Sequence, residues 1–154
     1  MKIYADHAAT TAVSDTAMAA MLPCFQSVYA NPSSLHSPGQ RAAEKLAEAR
    51  EIFARNLNAA PREITFTSGG SESDVQALRT GAALGARKGK RHILSTKFEH
   101  HAVLHTLKAL EKEGFAVTLL DIPADGVVTA KAVREALRPD TCLVSVKFAN
   151  NEIG

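Results

Sequence analysis

The chain has 154 residues, 45% of them apolar, and a formal net charge of +2. This length suits one α/β domain with a buried core, and the small charge argues against the strongly basic surface of a nucleic-acid-binding protein. The sequence has no run of about 18 apolar residues and no signal segment, so we expect a soluble, cytoplasmic protein without a membrane or nucleic-acid partner. Cys24 and Cys142 are too few for a disulfide framework or a zinc site, and we expect both to be buried thiols.

The first part of the chain predicts an arm followed by two helices. Residues 1–13 are too short for a strand with a core of its own, so we expect an N-terminal arm. Ser14 can cap a helix that continues to about residue 24, and apolar positions at helical spacing predict a second helix at residues 40–57. Between these helices, residues 31–34 form a turn-rich loop, which either carries binding groups or simply connects the helices.

From residue 64 onward, strand and helix patterns alternate. This order predicts an α/β fold with three layers, α/β/α, in which helices cover the faces of a mostly parallel sheet. The predicted strands are residues 64–67, 92–96, 116–120 and 143–146, and the predicted helices are residues 72–88, 101–113 and 131–137.

A glycine turn follows the first predicted strand. Gly69 and Gly70 allow the backbone to turn tightly, and Ser71 can cap the next helix, with Asp74 at the spacing of a capping box. The small side chains leave the backbone N–H groups of Gly70 and Ser71 open to an anion, and the helix dipole favours a phosphate there. The alternative is a plain strand-to-helix turn without a ligand.

Three polar segments follow the carboxyl ends of predicted strands: residues 68–74, 97–101 and 148–154. In a parallel sheet they converge on one edge, where ligands bind in open α/β sheets. Free N–H groups, an imidazole and a carboxamide at this edge suit a planar, phosphorylated, heteroaromatic ligand. His101 and His105 share a helix face, but no carboxylate ligand lies at a suitable spacing, so we expect a helix surface rather than a metal site.

Five motifs in the same order resemble those of one known family. They are residues 4–11, 31–36, 66–74, 99–100 and 150–154. On these motifs the whole chain resembles the cysteine desulfurases of the nitrogen-fixation and iron-sulfur-cluster type, which belong to the class V aminotransferase group of pyridoxal-phosphate enzymes.

The resemblance implies a role for four residues. It implies that Gly70 and Ser71 hold the phosphate of pyridoxal 5′-phosphate. His100 is implied to stack on the pyridine ring and to shuttle protons as a catalytic residue, and Asn151 to contact the ring oxygen. Residues 1–154 would then comprise the N-terminal arm and an incomplete cofactor-binding large domain of a fold-type I transferase, without a second complete domain.

The resemblance also implies that part of the active site lies outside these residues. In such enzymes, the Schiff-base lysine, the aspartate paired with the pyridinium nitrogen and the catalytic cysteine follow the position of Gly154. We therefore expect this chain to be inactive alone and to need a complementary C-terminal segment or a second chain. The complete assembly is expected to be a homodimer, with a sulfur-acceptor protein as a further partner.

The expected function is that of the N-terminal portion of a cysteine desulfurase. Such an enzyme converts L-cysteine to L-alanine and holds the sulfur as a persulfide for iron-sulfur-cluster or thio-cofactor synthesis. Two alternatives remain open at this point. The chain is either a noncatalytic relic that binds the cofactor or phosphate, or part of another class V enzyme that acts on a different amino acid.

Overall fold

The computed structural model of the chain describes residues 3–152. It divides into two compact units, a first unit up to Phe66 and a second unit from Thr67 onward. Residues 1–2 of the predicted arm and residues 153–154 of the last motif lie outside the described range. Among residues 3–152, no helix is both long enough and apolar enough to cross a membrane.

The first unit contains the two predicted helices, α1 (Asp15–Gln26) and α2 (Ser37–Asn56), followed by a short 3₁₀ helix at Pro61–Glu63. The predicted cap of α1 is confirmed, because the Ser14 hydroxyl accepts a hydrogen bond from the backbone N–H of Ala17 at 3.2 Å. Residues 3–13 form no helix or strand, in agreement with the predicted arm.

Helix α2 begins three residues earlier than predicted because His36 caps it. The Nδ1 atom of His36 accepts a hydrogen bond from the backbone N–H of Gly39 at 3.2 Å. Gly39 also packs against the preceding turn, where a Cβ atom at this position would lie 2.7 Å from the Cβ of Ser34 and 2.9 Å from the carbonyl oxygen of Asn31. The loop at residues 31–34 therefore fits closely against the start of α2, and only glycine leaves room for it.

The predicted strand at residues 64–67 is wrong. Ile64 is extended (φ −89°, ψ 121°), but residues 64–67 pair with no strand in the described part of the chain. The segment is instead held within the first unit, where Arg50 Nε donates to the Ile64 carbonyl oxygen at 3.4 Å and the guanidinium lies 5.0 Å from the centre of the Phe66 ring. An extended segment becomes a strand only when a neighbour supplies the ladder of hydrogen bonds.

The second unit is built on three parallel strands in the order β2-β1-β3. The predictions for β1 (His92–Thr96) and β2 (Ala116–Leu120) are confirmed to the residue, whereas β3 (Thr141–Val144) begins and ends two residues before its predicted position. The helices of this unit lie close to their predicted ranges. They are α3 (Gly70–Ala86), α4 (His101–Lys112) and α5 (Ala130–Ala136).

The core of the second unit lies where α3 and α4 pack against the sheet. All five residues of the central strand β1 are buried, as expected for a strand covered on both faces. The buried apolar cluster consists of Leu78, Ala82, Ile93, Val103, Leu107, Leu110 and Phe115. Because β1 and β3 are parallel neighbours, the segments that follow them leave the sheet side by side at one edge.

Candidate functional site

The start of α3 presents unpaired backbone donors. Gly69 occupies the N-cap position and no side chain caps the helix there. Within residues 3–152, the N–H groups of Gly70 and Ser71 have no hydrogen-bond acceptor, as is usual for the first turn of a helix. The predicted capping box of Ser71 and Asp74 is wrong, because the helix already begins at Gly70 and Ser71 lies inside its first turn.

Side chains on either side of the glycines brace this turn. The Glu72 carboxylate accepts hydrogen bonds from both the backbone N–H and the hydroxyl of Ser68, each at 2.6 Å. The Thr67 hydroxyl donates to the Gly69 carbonyl oxygen at 3.1 Å and lies 2.6 Å from the Ser73 hydroxyl. The turn is therefore held in shape without using the N–H groups at the helix start.

The bonds from Ser68 to Glu72 predict a loss of stability in acid. The hydrogen bond from the Ser68 hydroxyl and the second one from its N–H hold the pKa of Glu72 below its ordinary value of 4.5. A lowered pKa in the folded state means that the stabilisation is complete above pH 4.5 and is lost as the pH falls through the folded pKa. We expect the free energy of unfolding to fall less steeply below pH 4.5 in Glu72→Gln than in the wild type.

His92 also makes the protein less stable in acid, but at a higher pH than Glu72 does. Burial, followed by the charge of Arg138, lowers the pKa of His92 from its ordinary 6.5, so His92 contributes stability that is lost as the pH falls below that value. Because both proteins contain His92, its contribution cancels when the free energy of unfolding of Glu72→Gln in urea is subtracted from that of the wild type at each pH. If the difference between the two proteins does not change with pH, the bonds from Ser68 do not stabilise the turn.

The space beside the glycine turn suits a phosphate group. A Cβ atom built on Gly69 or Gly70 meets no atom within 4 Å, so this side of the turn is open. The Ser71 hydroxyl has no hydrogen-bond partner in the described part of the chain and can donate to an anion. We call the N–H groups of Gly70 and Ser71, with the Ser71 hydroxyl, the phosphate cup. Its donors and its position at a helix start fit the phosphate of pyridoxal 5′-phosphate.

His100 and Ser71 of the phosphate cup line the same open cleft. The cleft has a volume of about 440 Å³ and is lined by residues of α3, including Ser71 and Val75, and by residues of α4, including His105. His100 caps α4, since its Nδ1 accepts a hydrogen bond from the backbone N–H of Ala102 at 3.1 Å. The neutral ring therefore carries its proton on Nε2. The structure thus brings together two of the predicted site residues, Ser71 and His100.

Asn151 lies on the segment that follows β3 and does not line this cleft. Its Oδ1 accepts a hydrogen bond from Lys147 Nζ at 3.0 Å. This contact leaves the Nδ2 group as the donor, which is the group that a ring oxygen would need. The segment leaves the sheet beside the one that carries His100, because β3 is the parallel neighbour of β1.

The sequence-based site omits two residues that tie these segments together. Glu99 is only 8% exposed and accepts hydrogen bonds from the Thr96 hydroxyl and the backbone N–H of Lys147. Asn150 Nδ2 donates to the carbonyl oxygen of Phe98 at 3.2 Å. Glu99 and Asn150 stand in the motifs at residues 99–100 and 150–154, but nothing in the local sequence indicates that they join the two segments.

The other candidate groups are surface or packing residues. His101 and His105 lie on an exposed face of α4 with ring centres 5.5 Å apart, as their spacing predicts. No group of three or more histidine, cysteine, aspartate or glutamate side chains among residues 3–152 could hold a metal ion. Cys24 and Cys142 are half-buried rather than buried, and the Cys142 thiol donates to the His92 carbonyl oxygen at 3.3 Å.

Known proteins resemble this chain along its whole length. Residues 3–154 match the aminotransferase class-V family. A cysteine desulfurase IscS of Clostridium botulinum (strain Kyoto / Type A2) is 46% identical over 153 residues, which are 99% of this chain and 38% of that protein. The solved structure of a NifS-like protein superposes with a TM-score of 0.93 at 39% identity, covering all of this chain and 42% of the other. SspA in complex with cysteine has a TM-score of 0.85 at 38% identity, covering 95% of this chain and 42% of the other.

These similarities confirm the predicted fold class. The chain has the α/β fold with a parallel sheet found in the large domain of fold-type I enzymes, and it contains part of that domain. It spans about 40% of the length of the relatives that it matches. On its sequence and its fold, the chain belongs to the aminotransferase class-V family, among relatives that are named cysteine desulfurases.

Proposed function

We propose that these residues form the phosphate-binding and ring-binding part of a pyridoxal-phosphate-dependent cysteine desulfurase. Such an enzyme converts L-cysteine and an enzyme thiol to L-alanine and an enzyme persulfide. When bound, the cofactor supplies an electron sink for bonds at the α-carbon of an amino acid. The lysine that binds the cofactor, the partner of its ring nitrogen and the cysteine that accepts sulfur would come from residues outside these 154, in the same polypeptide or in a separate one.

The observation that carries the proposal is the shared cleft of Ser71 and His100. The phosphate cup offers two backbone N–H groups and a hydroxyl at the positive end of α3. The same cleft is lined by the imidazole of His100, which can cover the face of a heteroaromatic ring. A cleft that has both anion donors and a flat ring suits a planar phosphorylated ligand.

The cap bond of His100 limits what its ring can do. While Nδ1 accepts the N–H of Ala102, the ring can stack and can donate a hydrogen bond from Nε2. Taking up a proton at Nδ1 requires release of this bond. We therefore propose that stacking and donation from Nε2 are the resting roles of His100, and that proton transfer accompanies a local opening of the first turn of α4.

The similarity to cysteine desulfurases favours L-cysteine as the substrate, and SspA, which the chain resembles in fold, is known in complex with cysteine. To test this, we would join the 154 residues to the part of the Clostridium botulinum relative that lies beyond the match, and we call this construction the hybrid protein. With pyridoxal phosphate and a thiol reductant, the hybrid protein is expected to release alanine and sulfide in equal amounts from L-cysteine and neither product from L-serine.

The alternatives predict different products. A noncatalytic relic would retain the cofactor but form no alanine. Part of another class V enzyme would turn over a different amino acid in preference to L-cysteine. Measuring the molecular mass of the active hybrid protein in the same experiment tests the proposal that the complete assembly is a homodimer.

A further inference from the structure

Glu99, in the segment that follows β1, places a carboxylate in a nearly solvent-free position. Its Oε1 accepts two hydrogen bonds of 2.8 Å, one from the Thr96 hydroxyl and one from the backbone N–H of Lys147. Within residues 3–152 no lysine, arginine or histidine forms an ion pair with it. A buried carboxylate without a cation is costly unless hydrogen bonds hold it. The two donors therefore fix the Glu99 carboxylate between the end of β1 and the segment that follows β3.

These contacts join segments that are far apart in the sequence. The bond to Lys147 connects the end of β1 to the segment after β3. A second connection lies beside it, where Asn150 Nδ2 donates to the Phe98 carbonyl oxygen at 3.2 Å. Each segment thus provides one side chain and one backbone group, and two crossed contacts restrict both the separation of the segments and their relative rotation.

The residues next to these contacts are the two that would bind the cofactor ring. His100 directly follows Glu99, and Asn151 directly follows Asn150. We propose that Glu99 is a positioning residue, which sets the distance between the His100 ring and the Asn151 carboxamide so that both reach one planar ligand. This proposal rests on the proposed function, because the ligand is its cofactor.

The position of Glu99 separates its effect from that of the phosphate cup. The cup is braced by its own contacts, between Ser68 and Glu72 and between Thr67 and Ser73, and Glu99 takes part in none of them. Loss of the Glu99 contacts should therefore weaken binding of the cofactor ring while leaving the contribution of the phosphate unchanged.

The test compares pyridoxal phosphate with pyridoxal, which lacks the phosphate, in binding to the hybrid protein. Glu99→Ala is expected to raise the dissociation constants of both ligands by about tenfold, with an unchanged ratio between them and an unchanged binding stoichiometry. The visible circular dichroism of bound pyridoxal phosphate, which reports the orientation of the ring, should change. Glu99→Gln keeps an oxygen that can accept both bonds and should restore wild-type values.

If Glu99 had a purely structural role, Glu99→Ala would lower the stability and therefore the fraction of protein that binds the ligand. The protein that remains folded would keep its wild-type affinity. That result, or wild-type affinity and circular dichroism in Glu99→Ala, would overturn the proposal. Thr96→Val removes the donor that orients the Glu99 carboxylate but keeps the bond to Lys147. If Glu99→Ala does not fold, Thr96→Val should raise both dissociation constants by a factor smaller than about tenfold with an unchanged ratio, and wild-type affinities would overturn the proposal. Failure of the wild-type hybrid protein to bind pyridoxal phosphate would instead overturn the proposed function, and the role of Glu99 with it.

Discussion

Replacing His100 with alanine is expected to lower the rate of alanine formation by the hybrid protein about 100-fold or more. The substitution removes the ring that lines the cleft shared with Ser71, together with the Nε2 donor. It also removes the cap of α4, because the Nδ1 atom accepts the N–H of Ala102. Loss of such a cap costs about 1 kcal/mol of stability, so the rate and the stability must be measured together.

Two further variants separate the cap from the ring. His100→Asn supplies a good capping side chain without a ring, and we expect it to restore thermal stability but not turnover. His100→Phe keeps a flat ring without nitrogen atoms, so it should retain more cofactor affinity than His100→Asn but remain slow. Wild-type turnover in His100→Asn would show that His100 is a helix cap and nothing more.

Replacing Gly85 with alanine is expected to destabilise the second unit by about 1 to 3 kcal/mol. Gly85 lies where α3 packs against β3, and a Cβ atom there would overlap the Cβ of Cys142 and lie 2.6 Å from its Sγ. The Lys90 carbonyl oxygen would lie 3.4 Å from the same Cβ atom. Because the nearest atom is a Cβ fixed to the strand backbone, the helix and the strand must move apart to accommodate the methyl group.

A double-mutant cycle tests whether this contact is the cause. In a Cys142→Gly background, Gly85→Ala should cost only about 1 kcal/mol or less, because the overlapping atoms are gone. Gly70→Ala serves as the control, since a Cβ at Gly70 meets nothing within 4 Å. The free energies come from urea unfolding of the hybrid protein. An equal cost of Gly85→Ala in both backgrounds would show that α3 and β3 do not approach as closely as the structure indicates.

The parts of the fold that the sequence predicts best are β1 and β2. Each is a short segment of apolar and β-branched residues between clear breaks, with basic residues before His92 and Gly114 before Ala116. The start of β3 is less predictable, because Thr141 pairs with His92 through a shift in register between His92 and Ile93. Such a shift depends on the neighbouring strand and leaves no mark in the sequence of β3.

The wrong predictions share a physical cause, which is that a local pattern does not choose its partner. Residues 64–67 have the composition of a strand but find no ladder partner in the described part of the chain. At the start of α3, both Glu72 and Asp74 are acids at plausible capping distances, and the backbone path through Gly69 selects the contact of Glu72 with Ser68. Nothing in the local sequence distinguishes these two acids.

The candidate site is predictable only in part for the same reason. Ser71 and His100 belong to motifs that follow strand positions, and the structure places both on one cleft. The contacts of Glu99 with Lys147 and of Asn150 with Phe98 join residues 48 and 52 positions apart. They exist because the strand order β2-β1-β3 makes β1 and β3 neighbours, and the sequence alone does not specify that order.

We propose above all that Gly70 and Ser71 hold the phosphate of the cofactor. The most direct test is the ratio of the dissociation constants of pyridoxal and pyridoxal phosphate, measured by equilibrium dialysis on the hybrid protein and on its Ser71→Ala variant. We expect the wild type to bind pyridoxal phosphate much more tightly than pyridoxal. Ser71→Ala should reduce the ratio about 5- to 150-fold, which corresponds to about 1 to 3 kcal/mol, and Ser71→Thr should restore it. A ratio that is the same in the wild type and in Ser71→Ala would contradict the phosphate cup.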